Sequence, residues 1–147
     1  MSGRKRHLLV DTLGLLCHVL VHPASIPDRD GGQSVLAPLV GRFPRLTKLW
    51  VDAGCQGSFS HWVEETLGWE VEVVRKPRRW LWWPADQEPP PMPSGFQVLP
   101  HRWLVERTFA WLGRQRRLSK DYEVLPSTEE AWIYLTMIRL MVVRLTA

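Results

Sequence analysis

The residues HRWLVERTFAWLGRQRRL (101–118) are the most informative stretch of the chain. Val105, Phe109 and Leu112 follow the i, i+4, i+7 spacing of an apolar helix face, so the stretch predicts an amphipathic helix. It contains a single carboxylate, Glu106, among five arginines: Arg102, Arg107, Arg114, Arg116 and Arg117. A carboxylate in these surroundings either forms ion pairs with the arginines or is a ligand of a metal ion.

Residue types alone favour the pairing, because Arg102 and Glu106 are four residues apart and would meet on a solvated helix face. A second isolated acid in the sequence favours the interpretation of Glu106 as a metal ligand. Asp52 follows the apolar run LTKLWV, which predicts a buried strand over residues 46–51. Both interpretations of Glu106 stay open on these residues alone.

Composition indicates one globular domain over residues 1–147, with 45% hydrophobic and 23% charged residues. No apolar run approaches the roughly 20 residues that a bilayer crossing needs, and the start, MSGRKRH, lacks the apolar stretch of a signal peptide. We therefore expect a cytoplasmic protein without a membrane partner. The net charge of +4 fits a polyanion as partner. Cys17 and Cys55 are too few for a disulfide framework or a zinc site, and we expect free thiols.

The N-terminal half predicts strands alternating with helices. Apolar runs at 7–10 and 15–22, joined by turn residues 11–14, indicate a β-hairpin. Residues 23–32 predict a loop, and SVLAPLVGRF after it predicts a short helix, with Pro38 either in its first turn or marking a late start. After Asp52, a helix capped by Ser58 or Ser60 should end before Gly68.

In the C-terminal half, alternation over Glu70–Val74 predicts a half-exposed strand. Arg75–Gly95 is rich in proline and tryptophan and predicts an irregular segment, either a basic DNA contact or a tryptophan-anchored connector. Ser127 and Glu130 suggest a capping box for a largely buried helix, 132–145. The order of elements predicts an α/β fold, a mixed sheet with flanking helices.

Asp52 at a strand end and Glu106 on a later helix are candidates to meet at one edge of this sheet. Carboxylates held close together repel unless a cation lies between them, and Mg²⁺ prefers such oxygen ligands. A pair of these ions activates a water or a sugar hydroxyl in phosphodiester cleavage. Spacing alone is weak support for such a site, because acids at strand ends are common.

Four segments carry a family resemblance: GRKRHLLVDTLGLL, VHPASIPDRDGG, LWVDAGCQG and RWLVERTFAWLGRQRRLSKDYE. In this order they resemble the catalytic region of bacterial insertion-sequence transposases of the DDE type, whose core is ribonuclease-H-like. The resemblance covers nearly the whole chain, and its last segment is the most specific. It implies that Asp52 and Glu106 are the second and third catalytic, metal-binding acids, with Mg²⁺ or Mn²⁺ as cofactor. Arg102 matches the arginine that precedes the third acid.

The chain departs from the family pattern at several positions. Leu99 stands where the broader pattern has a tyrosine, Gly113 (followed by Arg114) where it has a lysine, and Cys55 where a tyrosine is usual. In the family the first catalytic aspartate lies on a strand before the GRKRH segment. The resemblance therefore implies that this chain is the C-terminal part of such a catalytic region and lacks the first catalytic aspartate. Asp11 also follows an apolar strand, but we expect it to be a hairpin-turn residue.

The resemblance implies a transposase that cleaves phosphodiester bonds at transposon ends and joins them to target DNA, with this chain inactive alone. Its DNA contacts would be Lys76, Arg78, Arg79, Arg102, Arg114, Arg116 and Arg117, each of which is otherwise a plain solvated cation. Other expected partners are a second copy or the product of an upstream reading frame, in a bacterial cytoplasm and associated with the nucleoid. The alternatives are a non-catalytic DNA-binding or dimerising fragment or remnant, and an unrelated tryptophan-rich binding domain.

Overall fold

The computed structural model describes residues 3–74 and 101–146. Within them the order of elements is β1 Arg4–Val10, β2 Leu16–Pro23, α1 Asp28–Leu36, β3 Lys48–Asp52, α2 Ser58–Leu67, β4 Glu70–Val74, α3 Arg102–Gly113 and α4 Pro126–Leu145. Short 3-10 turns, Ala37–Leu39 and Ala53–Cys55, follow α1 and β3. The predicted α/β class is confirmed. The predicted irregular segment, Arg75–Gly95, lies outside the described residues.

β1 and β2 form the predicted antiparallel hairpin. One carboxylate oxygen of Asp11 accepts hydrogen bonds from the N–H groups of Leu13 and Leu15, both at 2.8 Å. Gly14 has a φ of 77°, which a residue with a Cβ rarely adopts. Asp11 is therefore a turn residue, because its carboxylate holds the loop together.

β3 and β4 form a parallel pair connected through α2. As predicted, α2 ends at Gly68, which is left-handed with a φ of 68° and donates its N–H to the carbonyl of Glu64. The described strands make two separate two-stranded sheets instead of the single mixed sheet that we expected. A cleft between β1 and β3 separates them. β3 is half-buried, although a buried strand was predicted.

Helices pack on two sides of these strands. On one side, α1 and α2 bury Leu36 and Phe59 against Leu9 of β1. On the other side, Leu112 of α3 and Ile133 of α4 close over β2. Each side excludes water from its own apolar cluster, and together they hold the strands in place.

The helix after the hairpin begins earlier than predicted. Asp28 opens α1, and the pair Gly31 and Gly32, which we had placed in a loop, lies inside the helix. A Cβ on Gly31 would come within 2.5 Å of the His22 ring, and one on Gly32 within 2.7 Å of the Phe59 ring. These glycines let α1 pack closely against the histidine and phenylalanine rings. This packing outweighs the tendency of glycine to form turns. Pro38 lies in the 3-10 turn after α1 and not in its first turn.

Both predicted N-caps are wrong. Gly57 occupies the cap of α2, with no side-chain hydrogen bond from a serine. α4 begins at Pro126, which lacks the N–H that a first helical residue leaves unpaired. Its N-cap is Leu125, so there is no capping box. The helix is also less buried than predicted, since Leu135 and Ile138 are more than half exposed.

The apolar stripe of α3 is shifted from the predicted one. Leu112 is buried as expected, but Phe109 is exposed, and the other buried residues are Leu104 and Thr108. Thr108 is anchored because its hydroxyl donates to the carbonyl of Gly14 at 2.7 Å. Across residues 3–74 and 101–146, no helix has the length and apolar character to span a bilayer.

Candidate active site

A cleft with a volume of about 860 Å³ separates β1 from β3. α1 and α3 border it as well, and both Asp52 and Glu106 lie along its wall. The fold thus brings the two acids to one cleft although 54 residues separate them in the chain.

Asp52 is the last residue of β3 and its side chain is exposed. One carboxylate oxygen accepts a hydrogen bond from the N–H of Gly54 at 3.0 Å, which caps the following 3-10 turn. This bond fixes the direction of the carboxylate. Asp52 is therefore an oriented acid at the rim of the cleft.

Asp28, at the start of α1, is an acid beside Asp52 that sequence reasoning did not single out. An oxygen of each carboxylate lies within 3.5 Å of the point where a Gly54 Cβ would be. The second oxygen of Asp28 pairs with the ammonium of Lys5 at 2.9 Å, and this hydrogen bond lowers the pKa of Asp28. Asp28 was missed because we predicted a loop there.

Glu106 lies on the exposed side of α3, which is attached to the strands at two places. His101, just before the helix, stacks on Trp50 of β3 with ring centroids 4.1 Å apart. Arg107 and Thr108 bond to the carbonyls of the hairpin turn. Glu106 lies between these attachments, so its backbone is held against both β1 and β3. The proposed pairing with Arg102 concerns a side chain outside the described part of the structure.

His7 and His22 form a hydrogen-bonded pair that the sequence analysis missed. Nε2 of His22 is 2.6 Å from Nδ1 of His7, and Nδ1 of His22 is 2.9 Å from the carbonyl of Pro23. Because a carbonyl only accepts, Nδ1 of His22 carries a proton, and in the neutral pair Nδ1 of His7 donates to His22. Nε2 of His7 is then unprotonated. Burial, reinforced by His22, lowers the pKa of His7, which borders the cleft.

Cys55 also borders the cleft. Burial, together with the charges of Asp52 and Asp28, raises the pKa of its thiol to about 11. A thiol that stays protonated near neutral pH is a poor nucleophile.

Asp52 and Glu106 are hard oxygen donors of the kind that Mg²⁺ prefers, so their chemistry fits this ion. Within residues 3–74 and 101–146, no group of three or more histidine, cysteine or carboxylate side chains is arranged to hold a metal. The described residues thus offer oxygen ligands without a complete ligand cluster.

Three of the predicted DNA-contacting arginines, Arg114, Arg116 and Arg117, lie after α3. Arg114 and Arg116 are exposed. Arg117 is partly engaged, since it pairs with Glu123 at 2.8 Å and lies over the Trp132 ring. The predicted contacts Lys76, Arg78 and Arg79, the side chain of Arg102, and the departure at Leu99 fall outside the described residues.

The family described as the transposase DDE domain matches residues 1–141, nearly the whole chain. The comparisons with curated proteins and with solved structures return no match. Since the family match covers far more than half of the sequence, the chain belongs to the transposase DDE domain family.

Proposed function

We propose that Asp52 and Glu106 are metal-binding acids of a transposase that cleaves phosphodiester bonds at transposon ends and transfers the strands to target DNA. The observation that carries this proposal is the position of both acids on one cleft. Family membership supplies the reaction class, because DDE transposases act on DNA and generally use divalent metal. The proposed core is ribonuclease-H-like.

Asp52 and Glu106 would hold Mg²⁺ or Mn²⁺ through carboxylate oxygens. The bound ion would supply activation of a water or 3′ hydroxyl and stabilisation of the leaving oxygen. Asp52 is suited to this role because Gly54 orients one of its oxygens. Asp28 is held by Lys5, so it adds negative charge beside Asp52 while one of its oxygens stays occupied.

The DNA backbone would lie along the basic residues near α3. Arg114 and Arg116 are exposed and offer their guanidinium groups to phosphates. Arg117, Arg102, Lys76, Arg78 and Arg79 complete the proposed contacts. Because phosphate contacts release counterions, DNA binding through them should weaken as salt rises.

We further propose that Asp52 and Glu106 alone do not support DNA cleavage. Two fixed carboxylates leave most of the coordination of an ion to water, so the ion is held weakly. A further acidic ligand would be needed for cleavage.

A second candidate is a non-catalytic fragment that dimerises or binds DNA, in the cytoplasm and near the nucleoid. One observation favours the dimerising role: α4 carries a row of exposed apolar side chains at heptad-like spacing, Leu135, Ile138, Val142 and Leu145. Such a fragment would bind DNA or a second copy without any requirement for Asp52 or Glu106.

The test is nicking of a plasmid that carries the element's ends, by this chain fused to the segment encoded immediately upstream. We expect nicking with Mg²⁺ and none after Asp52→Asn or Glu106→Gln. Glu64→Gln is the matched control, since Glu64 is an exposed helical acid away from the cleft. Activity that survives both cleft substitutions would refute the catalytic assignment and leave the non-catalytic fragment.

A further inference from the structure

The arginine that follows Glu106 is held between two tryptophan rings on α3. Trp103, Arg107 and Trp111 are spaced i, i+4 and i+8, so they form one row along the helix. Cζ of Arg107 lies 4.3 Å from the ring centroid of Trp103 and 4.7 Å from that of Trp111. Both distances are within the range of a cation–π interaction. The guanidinium group of Arg107 is therefore confined by a ring from the preceding turn of the helix and by one from the following turn.

This guanidinium group connects α3 to the hairpin turn, residues 11–14. Its Nη2 donates a hydrogen bond to the carbonyl of Leu13 at 2.5 Å, and the neighbouring Thr108 hydroxyl donates to the carbonyl of Gly14. Nε of Arg107 is buried and has no hydrogen-bond acceptor among residues 3–74 and 101–146. Burial of a cation is costly unless nearby groups compensate its charge, which the Leu13 carbonyl and the two ring faces do. Arg107 is therefore a fixed link between α3 and the hairpin.

The hairpin turn has the shape that this link requires. The Asp11 carboxylate accepts the N–H groups of Leu13 and Leu15, so the backbone on both sides of the Leu13 carbonyl is held in place. At Gly14, a Cβ would lie 2.9 Å from Nη2 of Arg107. Both this close approach and the left-handed φ of Gly14 require glycine. The turn thus presents its carbonyls in one arrangement and leaves room for the guanidinium group.

The link lies one residue after Glu106, so it restrains the rotation of α3 about its own axis. The other attachment of the helix, the His101 ring on Trp50, connects its start to the strand that ends at Asp52. A side chain extends about 6 Å from a helix axis, so a rotation of about 10° moves its end by about 1 Å. A misplacement of this size in a catalytic site can lower the rate by about a hundredfold. The placement of Glu106 relative to Asp52 therefore depends on the docking of Arg107.

Apolar packing keeps α3 on the protein without fixing its rotation as closely. Leu104 and Leu112 of α3 are buried, at 7% and 0% exposed. Because burial of apolar surface is non-directional, these leucines restrain rotation less than a hydrogen bond of fixed geometry does. Without Arg107, α3 should remain folded and attached, but Glu106 should be less well aligned.

We propose that Arg107 is a positioning residue, which aligns Glu106 with Asp52 by docking α3 on the hairpin turn. It acts through Glu106 and touches neither the metal nor the DNA. This role rests on the proposed function, since alignment matters only if Glu106 takes part in catalysis. Lysine cannot take the place of Arg107, because an ammonium group lacks the planar fork that stacks on the rings and donates to the turn.

Plasmid nicking by the fused chain described above tests the proposal, with kcat and the KM for DNA measured separately. Arg107→Ala should lower kcat about a hundredfold and leave KM nearly unchanged. Ethylguanidinium added to the buffer should restore nicking, because it fits the space between the two indole rings and supplies the missing donor. Ethylammonium has the same charge without the planar fork and should not. Arg107→Lys should also lower kcat, and it replaces Arg107→Ala if that variant does not fold.

Two further variants separate alignment from stability and from DNA binding. Ile133→Val loosens the apolar cluster that α3 shares with α4, without touching the hairpin turn, and should leave kcat unchanged. Arg114→Ala removes a proposed phosphate contact, so it should raise KM, in contrast to Arg107→Ala. Circular dichroism measures the folded fraction of each variant.

A fall in kcat that only matches the loss of folded protein would overturn the proposal, and so would a rise in KM alone. Failure of ethylguanidinium to restore nicking, or equal rescue by ethylammonium, would overturn it too. If wild-type nicking does not depend on Glu106, the proposed function fails and the positioning role fails with it. If nicking depends on Glu106 but is unchanged in Arg107→Ala, only the positioning role fails.

Discussion

Arg6 of β1 donates a hydrogen bond from Nε to Oε1 of Glu129 in α4, at a distance of 2.5 Å. Glu129 is only 2% exposed, and its other oxygen lies 3.7 Å from Arg4. This buried ion pair ties the cleft edge of the hairpin to the last helix. A buried charge without its partner is strongly unfavourable, so the pair is expected to be important for β1.

Glu129→Ala should therefore destabilise the protein by about 3–5 kcal/mol, because two arginines lose their buried counter-charge. Urea unfolding followed by circular dichroism measures this change. The matched control is Glu65→Ala, which removes an exposed partner of His61 and should change stability by less than about 1 kcal/mol. Equal effects of the two substitutions would contradict the role assigned to Glu129.

Stability should fall as the pH drops below neutrality, because His7 is held neutral in the fold. Burial, with His22 second, lowers its pKa below the ordinary value of 6.5. Below about pH 6.5 the unfolded chain binds a proton that the folded chain does not, so the free energy of unfolding decreases. The contribution of neutral His7 to the free energy of unfolding is fully present above about pH 6.5. It is lost as the pH falls towards the lower pKa of His7 in the folded state.

Urea unfolding of wild type and His7→Gln at about pH 7.5 and pH 5.5 tests this pH dependence. The variant should lose less stability between the two values than wild type does. Burial also lowers the pKa of His18. His18 is present in both proteins, so its contribution to the pH dependence is common to them. A His7→Gln curve identical to wild type would rule the explanation out.

Local sequence signals predicted the elements that depend on local interactions. The turn at Asp11 and Gly14 and the helix end at Gly68 are examples, because side-chain acceptors and left-handed glycines act within a few residues. The predicted positions of Asp52 at a strand end and Glu106 on a helix are confirmed.

Contacts between distant residues were not predictable in this way. Gly31 lies inside a helix, where the His7 and His22 rings leave no room for a side chain. Glu130 bonds to β2 and therefore does not complete a capping box. Asp28 reaches the cleft through the packing of α1 on the hairpin. Such features follow from tertiary structure, which residue spacing does not reveal.

Cys55 reports on the charge of Asp52 without any measurement of activity. With a pKa raised from 9.0 to about 11, its thiolate fraction at pH 8 is about a hundredfold lower than in the unfolded chain. Iodoacetamide labelling, followed by mass spectrometry, should be slower by about this factor. Asp52→Asn should accelerate labelling of Cys55, because one of the charges that raise its pKa is removed.

Glu64→Gln serves as the control for Cys55 labelling, because Glu64 does not border the cleft and should leave the rate unchanged. If Asp52→Asn also left it unchanged, the carboxylate of Asp52 would not face the cleft as described.

Two helical glycines should respond oppositely to alanine. At Gly31 a Cβ would lie 2.5 Å from both the His22 and the His7 rings, whereas at Gly113 nothing lies within 4 Å. Gly31→Ala should destabilise the fold by about 1–3 kcal/mol, since the rings and α1 must separate. Gly113→Ala, near the end of α3, should stabilise it by up to about 1 kcal/mol through helix propensity. Urea unfolding measures both, and a neutral Gly31→Ala would mean that α1 does not pack on the histidine pair.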